Sequence, residues 1–189
     1  MRLTQFLIIT ILFLVACKHK NNANEIQKSI ERLNRFSTDT ILTKAQLENE
    51  NDSILEELVF VNIYANIKVD LKSTDDDYKR QFEKFTIPQK AFYSTLVLER
   101  QVKYFGFKGY FEHHQSGGLF AKDASLGYKL LGLTDLSEIV DSATNKSNLK
   151  DTSFAGLNTL LLKQIAYKNS AKRRLELVRN NIYSFSTKN

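Results

Sequence analysis

The chain has 189 residues and a formal net charge of +6, with 42% hydrophobic and 25% charged residues, proportions that suit one domain with a real core. A single cysteine excludes a disulfide within the chain, and one proline with seven glycines is too sparse a turn vocabulary for an all-β protein. Composition alone therefore favours helix.

Residues 1–17 read MRLTQFLIITILFLVAC. Arg2 precedes an apolar run from Phe6 to Val15, shorter than the roughly 20 residues a bilayer needs. This is the layout of a secretory signal peptide. It ends in Leu14-Val15-Ala16-Cys17, which resembles the bacterial lipobox. That resemblance implies a diacylglyceryl thioether on Cys17 and cleavage on its N-terminal side. Lipidation also accounts for a lone exported thiol, which the competing reading, an uncleaved anchor with an incidental Cys, leaves unexplained. Several acyl chains anchor stably where one alone is marginal.

Lys18 to Asn22 is short and polar, a tether whose lysines suit anionic headgroups. Lys rather than Asp follows Cys17, and by resemblance to Gram-negative sorting patterns this points away from inner-membrane retention. The expected address is the bacterial cell envelope, at the outer membrane facing the periplasm, with the membrane as partner through lipid on Cys17. The expected division is a signal peptide over 1–16, then the lipidated Cys, a tether and a short helix over 17–50, then a helical domain over 51–189. Loss of Arg2 with the signal leaves a net charge of +5.

Ile26, Ile30 and Leu33 predict a weakly amphipathic helix over 25–36, and Ser37 to Ile41 reads as a linker. Asn51-Asp52-Ser53 offers caps for a helix over 54–67, with Glu56 and Glu57 in its first turn where the dipole favours anions. Ser73-Thr74-Asp75-Asp76-Asp77 lacks the spaced ligands and central Gly of an EF-hand loop, so it reads as the cap of a helix over 78–85.

The richest stretch follows. Thr86 caps and Pro88 suits the first turn of a helix that nothing breaks before Gly106, where positive φ is tolerated. Phe92, Leu96, Leu98, Val102 and Phe105 make its apolar side, and Glu99 falls inside that stripe. A buried carboxylate costs several kcal/mol unless it is paired or hydrogen-bonded. Its expected donors are the N–H groups near Gly106 and Phe107, or the hydroxyl of Tyr104 or Tyr110. Glu99 reads first as a structural anchor, and second as a general acid or base, which needs a raised pKa and an open cleft.

Phe107, Tyr110 and Phe111 share one face of a short helix ending at Ser116-Gly117-Gly118, and Gly109 lets a neighbouring backbone approach. His113 and His114 point about 100° apart on a helix and find no third ligand, so they read as solvated helix-end residues, with no metal expected. The S-G-G turn lacks the strand and Gly-Lys-Ser/Thr ending of a phosphate loop. A helix over 119–131 lines one face with Phe120, Ala124, Gly127 and Leu131, its two small residues permitting close approach. Gly132 stops it, and Asp135 with Glu138 resembles a capping box for a helix to about Ala143.

This order of features resembles domain-of-unknown-function family 4375, which includes a bacterial DNA-mimic protein. Glu99, Gly106, Phe107, Tyr110, Phe111, Gly117 and Leu131-Gly132-Leu133 stand at the places of that family's pattern, over about 88–143, with an echo at Leu157-Asn158. Tyr104-Phe105, Gly109 and His113-His114-Gln115 replace the family's polar residues. The resemblance implies a compact, all-α single domain.

Thr144 to Ser153 reads as loop. Leu157, Leu160, Leu161 and Ile165 predict a buried helix over 154–167. Leu175, Val178 and Ile182 predict a last one over 170–183, with Lys172-Arg173-Arg174 as its basic start.

The positive charge is mixed with acidic residues and clustered only once, so nucleic acid is not expected as a partner. No Ser-His-Asp or Glu-x-x-His spacing appears, and no cofactor is expected. The leading expectation is a lipid-anchored interaction module that binds a protein. The alternatives are a small envelope hydrolase using Glu99, and an inhibitor or immunity-like protein.

Overall fold

The computed structural model describes residues 42–67, 74–112, 118–148 and 153–186, all within one compact unit, 41–189. The predicted signal peptide, Cys17 and the helix over 25–36 lie outside the described residues. So do His113, His114 and Gly117.

Among the described residues there is helix and no strand, as composition and family resemblance led us to expect. In chain order the helices are α1 (Lys44–Asn49), α2 (Asp52–Asn66), α3 (Asp75–Phe82), α4 (Ile87–Glu112), α5 (Ala121–Leu130), α6 (Thr134–Asn148), α7 (Ala155–Lys168), α8 (Ser170–Asn180) and α9 (Ile182–Phe185). None of them is long and apolar enough to cross a membrane.

Local chemistry sets most of the helix starts. Thr43 and Gln46 form a capping box on α1, a helix that sequence patterning had not singled out. Asn51 accepts from the Ser53 N–H at the head of α2. Thr74 and Asp77 form a second box on α3, so the acidic run does start a helix, three residues before the expected 78–85 and with Asp75 to Asp77 inside its first turn. Hydrogen bonds from its own Thr74 and from Arg80 hold the Asp77 carboxyl below its ordinary range. Because α2 begins at Asp52, Glu56 and Glu57 fall beyond its first turn. They are ion-pair partners, not dipole partners: Glu57 meets Arg100, whose guanidinium also lies over the Phe60 ring, and Glu56 meets Arg174.

The central element is α4. Thr86 caps it through Gln89, and Pro88 sits in its first turn. Every residue from Ala91 to Glu99 is buried, in a helix on which α2, α5, α6, α7, α8 and α9 all pack. The expected single stripe is therefore too narrow at this end and too long at the other, where Phe105 is 58% exposed. At Gly106 the backbone turns to φ +67°, breaks the helix and lets it resume at Phe107 on a new axis.

Tight approach of α5 to α4 rests on Gly127. A Cβ there would lie 3.0 Å from the backbone Cα and O of Ala91 and 2.9 Å from the Thr95 methyl. Phe120, Ala124 and Leu131 complete that buried face. Phe120 packs tilted against Phe82 with ring centroids 4.3 Å apart, and Phe107, Phe111 and Phe154 form a second aromatic group. Fully burying one such ring stabilises the fold by about 1.5–3 kcal/mol.

The later helices depart from the sequence reading in three ways. Helix α6 starts at Thr134, with Asp135 inside its first turn, and runs to Asn148; Thr144 bonds back to the Val140 carbonyl and stays helical. Helix α7 buries only Leu161, leaving Leu160 and Leu162 exposed, so it covers the core from one side. Helix α8 ends at Asn180, and the short α9 then seats Phe185 edge-on against Phe92.

Candidate functional site

Four helices meet at Glu99. The residue is 8% exposed on α4, and Arg174 of α8, 1% exposed, grips both of its oxygens. Nη1 of Arg174 donates to Glu99 Oε1 at 2.7 Å and Nη2 to Oε2 at 3.0 Å. Nε of the same guanidinium donates to Glu56 Oε1 on α2 at 2.9 Å. From α5, the Tyr128 hydroxyl donates to Glu99 Oε1 at 3.1 Å. One planar fork thus ties α2 to α4, and a phenol ties α5 to the same carboxylate.

The electrostatics keep those roles fixed. Burial pulls the Arg174 guanidinium down, but Glu99 and then Glu56 more than offset it and hold the group above its ordinary value. Burial, reinforced by the charge of Glu99, pushes the Tyr128 phenol well above its ordinary range, so it remains a donor. Two carboxylates share one guanidinium.

The donors differ from those expected. The Phe107 N–H goes instead to Asn158 Oδ1 on α7, at 2.8 Å, where the Asn158 side chain also presses on Gly106. Tyr104 is exposed, and the buried Tyr110 hydroxyl has no hydrogen-bond partner among the described residues. Arg174 went unnoticed because it closes a basic run that reads as surface. One signal was available: Ser170, Arg174 and Val178 recur every four residues on the buried face of α8, the same anomaly that marked Glu99.

The other predicted residues serve packing. Phe107 and Tyr110 are fully buried and Phe111 is half-buried against Phe107. Gly109 is approached by the Phe105 side chain, one turn earlier, and not by a neighbouring backbone. No group of three or more His, Cys, Asp or Glu able to hold a metal occurs among the described residues.

A family model described as DMP19-like protein matches residues 83–186, more than half of the chain. The chain belongs to the DMP19-like protein family. No curated protein and no solved structure matches it. The DMP19-like segment holds Glu99, Tyr128, Asn158 and Arg174, whereas Glu56 precedes it.

This membership corrects one expectation. The DMP19-like family is a DNA-mimic family, which points toward partners that themselves bind nucleic acid, against the expectation of no link to nucleic acid. The link comes from the family match and not from charge, because the matched segment is the basic part of the chain. Residues 42–82 carry nine carboxylates against five cations, while the DMP19-like segment carries fifteen cations against nine carboxylates.

Proposed function

We propose that the chain is a lipid-anchored protein-interaction module of the bacterial envelope whose partner is a protein that binds nucleic acid. The family match carries the partner class, taking the family-4375 resemblance and the DMP19-like match as one domain. The lipobox-like Leu14-Val15-Ala16-Cys17 supports the anchor, and Lys18 supports the outer membrane facing the periplasm. An inhibitor or immunity-like role joins the two: a tethered domain that masks the nucleic-acid-binding face of an exported protein. The hydrolase reading loses its main residue, since Arg174 and Tyr128 occupy both oxygens of Glu99.

The test is cross-linking of the full chain in its own envelope, identification of the attached protein, and competition with duplex DNA in purified form. Displacement by DNA is the expected result. A partner bound equally well under saturating DNA overturns the masking role. Mass spectrometry of the mature N-terminus checks the anchor, which falls if Cys17 carries a free thiol.

A further inference from the structure

Between the start of α4 and the outer side of α5 runs a groove of about 430 Å³ that takes no part in the Glu99 cluster. Ile87 and Ala91 form one wall, and Leu126 and Leu130 the other. Its floor is Gly127, where the two helix backbones touch. Ile87 is 73% exposed, and Leu126 and Leu130 are each about half exposed, so the apolar walls face water. Contiguous exposed apolar surface of this kind marks an interaction site more often than chance scatter does.

The groove also holds a carboxylate with no direct partner among the described residues. Asp123 lines it, half-buried, with no ion pair or hydrogen bond among the described residues. Lys90, the nearby cation of the groove, is paired with Glu83. Burial, and then the charge of Glu83, push the Asp123 carboxyl up from its ordinary value, and Lys90, Lys122 and Lys79 pull against them without offsetting them. A cation delivered by a ligand would relieve that cost. Backbone geometry narrows the ligand further: an extended peptide here would bury N–H and C=O groups against Ile, Ala and Leu with no sheet edge to pair them. A helix satisfies its own backbone and offers only side chains. Asp123, Leu126, Gly127 and Leu130 follow i, i+3, i+4, i+7 spacing, matching the row a second helix presents.

We infer that this groove receives an amphipathic helix of a protein partner, with aliphatic side chains seated over Gly127 and a Lys or Arg meeting Asp123. The assignment rests on the interaction reading above and names its surface.

Two synthetic helical peptides of about 18 residues serve as probes, each with leucines at i, i+4 and i+7 and differing only in a Lys or a Glu beside the central Leu. Anisotropy titration against the full chain is expected to favour the Lys peptide by about tenfold. Asp123→Asn should erase that preference, Asp123→Lys should reverse it, and Leu126→Glu should remove binding of both peptides with the circular dichroism unchanged. Equal binding of the two peptides, or binding that survives Leu126→Glu, overturns the assignment. So does a dimer that Leu126→Glu dissociates, since a second copy then fills the groove. If the cross-linked partner binds Leu126→Glu as well as the parent chain, the groove assignment falls while the interaction reading stands. If neither peptide binds and no partner is captured, both fall.

Discussion

Arg174 and Glu99 form a two-pronged pair in the centre of the helical bundle, 75 residues apart in sequence and joined by hydrogen bonds of 2.7 and 3.0 Å. Breaking such a pair from one side leaves the other charge buried and uncompensated. Arg174→Ala and Glu99→Ala are each expected to destabilise the domain by about 3–5 kcal/mol. The double replacement Glu99→Ala/Arg174→Ala should cost less than the sum of its single changes, because it removes both charges together. Urea unfolding of the four proteins reads the coupling; strict additivity would mean that the pair does not interact in solution.

Gly127 fixes the distance between α4 and α5. Gly127→Ala places a methyl 3.0 Å from the Ala91 backbone, which cannot swing aside as a flexible side chain does. The expected loss is about 1–3 kcal/mol, against the usual gain in helix propensity from Gly to Ala. A thermal melt that rises with this change would show that the two helices are not in contact.

The break at Gly106 is held by Asn158. Gly106→Ala meets two costs, a φ of +67° and a Cβ 2.8 Å from Asn158 Nδ2. Asn158→Ala removes the acceptor of the Phe107 N–H and should cost about 1–2 kcal/mol. Adding Asn158→Ala to Gly106→Ala relieves the clash but not the backbone strain. The pair should therefore be less damaging than additive, as measured by chemical denaturation.

Alkaline pH provides a separate check on the buried phenols. Burial raises the pKa values of Tyr93, Tyr110 and Tyr128 above the ordinary 10.0. Each stays protonated in the fold while its unfolded counterpart ionises, so the stability they hold is full below pH 10 and is lost as pH rises beyond it. Urea midpoints measured from pH 8 to 11.5, on the order of the tyrosine range, should fall steeply in the wild type and less steeply in Tyr128→Phe. At neutral pH the order differs. Tyr128→Phe loses a bond to Glu99, whereas Tyr110→Phe removes a hydroxyl with no partner and should leave stability unchanged within about 0.5 kcal/mol.

Local signals in the chain were read well where the physics is local. Caps at Asn51, Thr74 and Thr86, the positive φ of Gly106 and the small face of α5 all follow from residues within one or two turns. Glu99 was conspicuous for the same reason. Its partners were not, because Arg174 and Tyr128 approach from 75 and 29 positions away and nothing near Glu99 encodes them. Burial of α4 on all sides was hidden for a related reason: a stripe reports one neighbour, and this helix has six among the described residues. Polar Thr144 to Asn148 looked like loop, yet a helix face in water accepts Ser, Thr and Asn when they bond back to their own backbone.

The clamp at Arg174 has a temporal side. Its two acidic partners are made first, and Glu56 waits 118 residues for the guanidinium, roughly 6–24 s at ordinary rates of synthesis. Until then Glu56 and Glu99 lack the cation that both of them bond in the finished fold. The last long helix thus acts as the latch of the domain, because α8 brings the guanidinium that both carboxylates bond.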